Sequence, residues 1–286
     1  MCSIYFCETC FFAGVCDATC GFAIVSNQTD TYTGVAPNAK VNGFDVGDAN
    51  GTLYVPDDVN GVFLNGLFAG AHIHSNSWGS SAPSYYDTTT QSLDRFMYDN
   101  PEHLVLVAAG NDGGVPDYYT GLDQYYIDLF YGDESIGSPA GAKNCLTVGA
   151  AETNETPDSV AAFSSRGPTG DGRIKPDVCG PGDPVESTRA SGEAGLATCS
   201  VASMSGTSMA TPALAGTAAL LRQYLTEGKH KQYSPHGYNF SVYSISNPSS
   251  ALIKAMLIGS TGKLLYGYNS TGTLVNLADF YGATTA

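Results

Sequence analysis

Short apolar runs of strand length alternate with stretches of helix length between residues 41 and 150 of this chain. The pattern predicts strands at 41–46, 72–78, 103–109 and 145–150, and helices at 58–69 and 91–98. Strands that are separated by helices return in the same direction, so this order predicts an α/β fold, a doubly wound parallel sheet with helices on both faces. Ligands bind beyond the carboxyl ends of the strands in such a sheet, which makes the residues after each strand candidates for a site.

The composition is typical of one large folded unit. A chain of 286 residues with 43% hydrophobic content can bury a single core. A charged fraction of 14% argues against a disordered or coiled-coil chain. The net charge of −15 and the isoelectric point near 4.4 argue against nucleic acid or an anionic membrane as a partner. No apolar run approaches about 18 residues, so we expect no membrane span.

Ser208 opens a long helical pattern. Gly206 lacks a Cβ and permits a tight turn, and residues 209–221 are apolar or small apart from two threonines. Ser208 is therefore predicted at the N-terminus of a buried helix, where unpaired N–H groups and the helix dipole stabilise negative charge. A hydroxyl that attacks a carbonyl needs this environment, because the tetrahedral intermediate carries an oxyanion. The alternative is an ordinary core helix with a Ser/Thr cap.

Asn111 follows the predicted strand at 103–109 after a single glycine, Gly110. Its amide is therefore placed to point across the carboxyl edge of the sheet. The alternative is that Asn111, Asp112 and Gly113 only form a turn, since these residue types favour turns.

The sequence Gly-Thr-Ser-Met-Ala-Thr-Pro at 206–212 resembles the nucleophile motif of the subtilisin-like serine proteases. The resemblance to the family's sequence extends, in the same order, to the segments at 34–41, 72–79, 163–168, 175–177 and 181–182. The likeness covers about residues 34–260. It implies a serine endopeptidase in which Ser208 is the nucleophile and Asn111, after Ala-Ala-Gly, donates a hydrogen bond to the oxyanion.

The resemblance also implies how a substrate is held. A polypeptide in extended conformation would bind as an added strand along Ser77, Trp78 and Gly79. Ala108, Ala109 and Gly110 would form a wall of the specificity pocket. Calcium is often bound in the family, but no complete ligand set is readable here and no other cofactor is implied.

Two of the three catalytic residues of that family have no counterpart in this sequence. The family's aspartate and histidine precede the segment at 34–41, yet no histidine occurs before His72 and no Asp-Thr-Gly or Asp-Ser-Gly occurs upstream. An ungapped alignment places Glu8 at the histidine, and a carboxylate with a pKa of about 4.3 is a poor base for a serine hydroxyl. We therefore expect a chain that is catalytically incomplete as written and N-terminally truncated.

An internal triad of Asp45 with His72 or His74 would keep the family's chain order. We disfavour it, because the resemblance assigns Asp45 to a scaffold strand and the two histidines to the strand that borders the cleft. A strand's period of two also puts both histidines on one face, which suits packing or cleft lining.

The resemblance divides the chain into an atypical cysteine-rich segment at 1–33 and a peptidase domain at 34–286, the C-terminal two-thirds of such a domain. Within it, the stretch at 112–138 reads as an insertion near the cleft, and 228–250 as a surface loop before a last helix at 250–258. The alternative function is a catalytically dead peptide-binding or regulatory protein with the same fold. Retention of Ser208 and Asn111 favours the peptidase, since a cleft that only binds peptide needs neither.

Five of the eight cysteines lie within the first twenty residues. Their spacing is too tight for a usual zinc site, so we favour disulfides, or a segment foreign to the fold, over a metal. Cys179 and Cys199 flank a loop and are candidates for a disulfide, which needs an oxidising compartment. Asn-x-Ser/Thr sequons begin at residues 27, 50, 154, 239 and 269, which favours secretion or a vesicular lumen.

Overall fold

The structure is a computed structural model that describes residues 2–7, 34–45, 55–56, 58–81, 85–114, 134–153, 159–189, 200–229, 244–262, 266–268 and 274–276. The strands are β1 (Cys2–Cys7), β2 (Lys40–Asp45), β3 (Ala71–Asn76), β4 (Leu104–Ala108), β5 (Leu146–Glu152), β6 (Val178–Asp183), β7 (Val185–Arg189), β8 (Ser200–Met204), β9 (Tyr266–Tyr268) and β10 (Leu274–Asn276). The helices are α1 (Asn60–Phe68), α2 (Thr88–Asp99), α3 (Thr207–Thr226) and α4 (Ser250–Ser260). The predicted alternation of strands and helices is confirmed, with boundaries that differ by a few residues.

The main sheet has six strands in the order β2-β1-β3-β4-β5-β6. The strands from β3 to β6 pair in parallel, which confirms the predicted α/β class. β1 was not predicted, and it lies between β2 and β3 and runs antiparallel to both. β7 with β8, and β9 with β10, form separate antiparallel pairs.

The core lies against the parallel strands. All five residues of β4 are buried, as expected for a strand that is covered on both faces and therefore reads as one continuous apolar run. α3 packs across β3, β4, β5 and β6, and α1 packs on β2 and β3. Phe63 of α1, Phe96 of α2 and Leu106 of β4 are among the largest fully buried side chains. This packing fixes the carboxyl ends of β3 and β4 relative to the N-terminus of α3.

Side-chain caps set two helix starts. Asp87 accepts a hydrogen bond from the Thr90 N–H at 2.8 Å, so α2 begins before the predicted position at 91. Ser249 caps α4 through the Leu252 N–H at 3.2 Å. Among the described helices, none is both long and apolar enough to cross a bilayer.

A buried ion pair joins the approach to β6 with α4. The Lys175 ammonium lies 2.7 Å from the Asp177 carboxylate and donates to the Thr147 hydroxyl at 2.8 Å. Lys254 of α4 reaches the other carboxylate oxygen of Asp177 at 3.2 Å. Since the Lys175 side chain is only 3% exposed, these partners are needed to hold its charge.

Cys179 has a free thiol in the structure, which contradicts the suggested disulfide to Cys199, a residue outside the described ranges. Burial raises the pKa of Cys179 to about 12, so the thiol is neutral and unreactive. Cys145 is also free and is fully buried. The cysteines at 10, 16 and 20 lie outside the described residues.

Candidate active site

Ser208 is the second residue of α3, as the sequence predicts. Gly206, two residues before Ser208, has φ of +156°, a conformation rare for residues with a side chain, and its N–H donates to the Gly182 carbonyl of β6 at 2.9 Å. The Met209 N–H donates to the Gly206 carbonyl at 3.0 Å and begins the helix. Thr207 and Met209 are buried, whereas Ser208 is half-buried. The helix end is therefore anchored on both sides of a serine that stays accessible.

Two reciprocal hydrogen bonds tie Ser208 to the end of β3. The Ser77 hydroxyl donates to the Ser208 carbonyl at 3.0 Å, and the Ser208 hydroxyl donates to the Ser77 carbonyl at 3.4 Å. Pro212 explains why the Ser208 carbonyl is available. It stands four residues further along α3 and has no N–H, so it cannot make the usual helical bond to that carbonyl. The Ser77 hydroxyl takes the place of the missing donor.

Asn111 is held by the residue before Ser208. Its Oδ1 accepts hydrogen bonds from both the N–H and the hydroxyl of Thr207, each at 3.0 Å. A backbone N–H can only donate, so this contact fixes the carboxamide with its oxygen toward Thr207 and its NH₂ group turned away. The Nδ2 atom lies 3.7 Å from the position that a Cβ on Gly206 would occupy. The amide donor is thus held beside the first turn of α3.

Thr207 is a site residue that sequence reasoning missed. Besides binding Asn111, its hydroxyl oxygen lies 3.3 Å from both the N–H and the carbonyl oxygen of Gly110. It therefore joins the end of β4 to the start of α3. The available signal was its position directly before Ser208, but nothing local indicated a partner almost a hundred residues away.

The eight residues that the sequence assigned to catalysis and substrate binding line one cavity of about 230 Å³. They are Ser77, Trp78, Gly79, Ala108, Ala109, Gly110, Asn111 and Ser208. The remaining lining residues are Ser80, Ser81, Asp112, Gly137, Ser138 and Thr207. The structure thus brings together residues from three separate predicted segments, and adds a wall at 137–138, the end of the stretch at 112–138 that was predicted near the cleft.

The added wall is closely packed and tied to α2. A Cβ on Gly137 would overlap the carbonyl oxygen of Ser80, so only glycine fits there. The Ser138 hydroxyl donates to Asp87 at 2.8 Å and lies 3.0 Å from the Thr90 hydroxyl. Burial alone would raise the pKa of Asp87, but hydrogen bonds from Thr90 and Ser138 more than offset it, and its pKa lies below the ordinary value. Asp87 is therefore charged when it holds this wall.

None of the three described histidines lines this cavity. The His74 ring is fully buried and packs against Phe63, with centroids 4.8 Å apart, and against His103 at 6.3 Å. Burial, and then the charge of His103, hold the pKa of His74 well below its ordinary value. His72 lines a separate cavity of about 430 Å³ beside the second half of α3. Neither histidine of the disfavoured internal triad thus faces the cavity of Ser208, and the Asp45 side chain lies outside the described part.

The two other histidines, at 230 and 236, lie outside the described residues. Lys229, which precedes the first of them, lies beyond the far end of α3. At 1.5 Å per residue, this end is about 30 Å from Ser208. Within the described ranges, no group of three or more His, Cys, Asp or Glu side chains could hold a metal ion. The described residues therefore offer no cluster of three or more carboxylate ligands for calcium.

The family follows from comparison with known proteins. The sequence model of the Subtilase family matches residues 18–273. Serine protease AprX of Bacillus subtilis is 32% identical over 69% of this chain and 45% of its own length. Subtilisin Savinase of Lederbergia lenta is 30% identical over 82% of this chain and 69% of its own length. The solved structure of Sphericase, 23% identical, has the same fold, with a TM-score of 0.60 over 91% of this chain and 74% of its own. The chain belongs to the subtilase family.

Some relatives are much longer than this chain. The serine protease/ABC transporter B family protein tagB of Dictyostelium discoideum is 27% identical over 83% of this chain, which spans only 16% of the length of tagB. The family model begins at residue 18, inside the segment that the sequence analysis set apart at 1–33. The proposed boundary between residues 33 and 34 stays a prediction.

Proposed function

We propose that this chain is the nucleophile-bearing part of a subtilisin-like serine endopeptidase, acting on polypeptides bound in extended conformation. The observation that carries the proposal is the joint placement of Ser208 and Asn111. A half-buried serine hydroxyl and a fixed amide donor meet at a helix N-terminus, beside a cavity of about 230 Å³. That arrangement suits attack on a carbonyl, because a helix N-terminus and an oriented amide both stabilise the oxyanion.

In the proposed reaction, the Ser208 hydroxyl attacks the carbonyl carbon of the scissile peptide bond. The Asn111 Nδ2 group and the Ser208 N–H donate to the oxyanion that forms. The substrate strand lies along Ser77, Trp78 and Gly79, and the wall of Ala108 to Gly110 borders the side-chain pocket. The intermediate then expels the amine, and water hydrolyses the acyl-enzyme to release the acid and restore Ser208.

Ser208 needs a base to accept its proton, since a serine hydroxyl is a weak nucleophile on its own. We propose that this base is not among the described residues, because their histidines lie outside the cavity. By resemblance, an aspartate and a histidine upstream of the segment at 34–41 would supply it. The chain as written would then be catalytically incomplete.

The same observation supports one alternative, a subtilase-fold protein that binds peptides without cleaving them. The absence of a described histidine from the cavity favours it. The positions of Ser208 and Asn111 favour the peptidase, since peptide binding alone requires neither a nucleophile nor an oxyanion donor.

A serine-directed fluorophosphonate separates these functions. It is applied to the protein from its native source and to the 286-residue chain. Labelling of the native protein alone would place the base in sequence beyond this chain, and labelling of both would place it within the chain. No labelling of either folded protein would overturn the peptidase proposal.

Matched variants assign the labelled residue. Ser208→Ala should abolish labelling, whereas Ser205→Ala should leave it unchanged, although Ser205 is the more exposed of the two serines. Labelling that survives Ser208→Ala would remove Ser208 from its role.

We also propose that the protein is secreted or lies in a vesicular lumen. The support is its five sequons, all of which fall outside the described residues. An amidase specific for N-glycans should increase the electrophoretic mobility of the native protein. No shift in mobility would remove this support.

A further inference from the structure

A second cavity, of about 220 Å³, is separate from the cavity of Ser208, because the two share no lining residue. Its lining consists of two tyrosines, two glycines and an ion pair: Tyr85, Tyr86, Gly141, Gly170, Asp171 and Arg173. Drug-sized ligands fill about 300–1,000 Å³, so this cavity has room for a group of about one ring. The proposed function uses none of these residues.

The two tyrosines present aromatic surface to solvent. Both are exposed, Tyr85 at 76% of its surface. The Tyr86 hydroxyl donates to the Asp94 carboxylate at 2.7 Å. Asp94 in turn accepts hydrogen bonds from the backbone N–H groups of Lys143 and Asn144, at 3.0 and 2.7 Å. The Tyr86 ring is therefore held in place, and a ligand with an apolar face would remove aromatic surface from water.

The ion pair supplies hydrogen-bonding groups in the same cavity. The Arg173 Nε donates to both carboxylate oxygens of Asp171, at 3.0 and 2.9 Å, and the Thr169 hydroxyl donates to one of them at 2.6 Å. Hydrogen bonds from Arg173 and then Thr169 lower the pKa of Asp171 to about 2, so its carboxylate is charged at neutral pH. The Nη1 group of Arg173 has no acceptor among the described residues. Both side chains are partly exposed, so the pair can accept hydrogen bonds from a ligand and donate to it.

The charges around the cavity disfavour a charged ligand. Asp171 and Arg173 neutralise each other. A cationic ligand would meet a Tyr86 ring that already has the Lys143 ammonium 4.4 Å from its centroid. An anionic ligand would meet the carboxylate of Asp171 and, behind the Tyr86 hydroxyl, that of Asp94. The arrangement therefore favours a neutral ligand.

A neutral ligand for this cavity also needs polar groups. A purely apolar group, such as a proline ring, would take water from the exposed ion pair without replacing its hydrogen bonds, which costs free energy. A sugar ring carries C–H groups on its faces and hydroxyls around its rim. The C–H groups can cover the tyrosine rings while the hydroxyls donate to the carboxylate and accept from the guanidinium. We propose that this cavity binds a neutral sugar ring, either free or at the end of a glycan.

Ligand-detected NMR tests the proposal. Saturation transfer from the full 286-residue chain is measured for the methyl glycosides of glucose, mannose, galactose and N-acetylglucosamine. We expect at least one of them to bind, with a Kd of about 1 mM for a ligand of this size. The transfer should be strongest at the protons on one face of the ring, because that face lies against the tyrosines.

A short glycopeptide that carries the preferred sugar on an asparagine distinguishes the two sources of such a ring. Tighter binding than that of the methyl glycoside would indicate the glycan of a glycoprotein. Equal affinity would indicate that the ring alone is recognised. Both results require a sugar in the cavity.

Two pairs of matched variants locate the binding. Tyr85→Ala should weaken it about fivefold by removing one aromatic contact. Tyr98→Ala removes an equally exposed ring, at 78%, from α2 and should change nothing. Asp171→Ala should weaken binding about tenfold, because it removes hydrogen bonds to a charged group. Asp99→Ala breaks the exposed ion pair with Arg95 and should again change nothing.

The sugar site is ruled out if none of the four glycosides binds, or if binding survives Tyr85→Ala. A tetraproline peptide that binds where the sugars do not, and is lost with Tyr85→Ala, would replace it with a docking groove for proline-rich peptides. Sugar binding should persist in Ser208→Ala, since Ser208 does not line this cavity. Its loss in that variant would place the sugar in the cavity of Ser208 and refute the proposal, whereas a failure of fluorophosphonate labelling would leave it untouched.

Discussion

Pro212 and Ser77 should be energetically coupled through the carbonyl of Ser208. Pro212 has no N–H to donate to that carbonyl, and the Ser77 hydroxyl donates instead at 3.0 Å. Ser77→Ala therefore leaves a part-buried carbonyl without its donor, which should lower the free energy of unfolding by about 1–2 kcal/mol. Pro212→Ala restores a backbone N–H at the position where helical geometry directs it to the same carbonyl.

A double-mutant cycle isolates this coupling from the packing lost with the proline ring. In the Pro212→Ala background, Ser77→Ala should cost about 1 kcal/mol less than it does in the wild-type background, because the new N–H satisfies the carbonyl. Free energies of unfolding of the four proteins come from urea titrations monitored by the single tryptophan. Thr217→Val, which removes a hydroxyl bond elsewhere on α3, is the matched control and should show no coupling with Ser77→Ala.

Additive costs within about 0.5 kcal/mol would refute this explanation of the proline. That result would mean that Ser77 is held for another reason and that the Ser208 carbonyl is satisfied independently of it. The same four proteins, labelled with the fluorophosphonate in the context of the native protein, would then show whether Ser77 orients Ser208 at all.

Three other perturbations probe the fold around the site. His103→Leu removes a buried imidazole whose pKa is lowered to about 4, by burial and then by the charge of His72. Between pH 6.5 and pH 4, this imidazole is therefore protonated in the unfolded wild-type chain but not in the folded one. In urea titrations the wild type should lose about 3 kcal/mol more stability than the variant over that range, and parallel pH profiles would contradict this. Gly137→Ala should destabilise by about 1–3 kcal/mol because its methyl group overlaps a backbone carbonyl, whereas Gly61→Ala, in open space on α1, should stabilise slightly; equal effects would disprove the clash. Lys175→Met should cost about 3 kcal/mol by leaving Asp177 with less compensation, and a neutral result by chemical denaturation would show the ion pair to be dispensable.

Much of the candidate site could be predicted, because the positions of its residues depend on local sequence. The buried strand at 104–108 needed a continuous apolar run, and Asn111 follows it after Ala109 and Gly110. Ser208 stands two residues after Gly206, at the start of a long helical run. Since strand ends and helix starts are local events, their residues could be placed at one edge of the sheet before any contact was known.

The remaining parts of the site depend on contacts that local sequence does not encode. Thr207 bonds to Asn111, and Asp87 bonds to Ser138, across many intervening residues. Gly137 borders the cavity because a distant carbonyl approaches it. β1 was missed for a different reason, since its cysteines suggested crosslinks while its six residues pair as an ordinary strand.

The mutual hydrogen bonds of Ser77 and Ser208 join positions 131 residues apart. Loop closure over such a separation is entropically costly, and chains rich in distant contacts fold slowly. Ser208, the Asn111 amide and the cavity wall come from different stretches of the chain, so the proposed site is complete only when the segments between residues 77 and 208 have come together. A partly folded chain would therefore have Ser208 without the cavity beside it, so the proposed reaction would have to wait for folding.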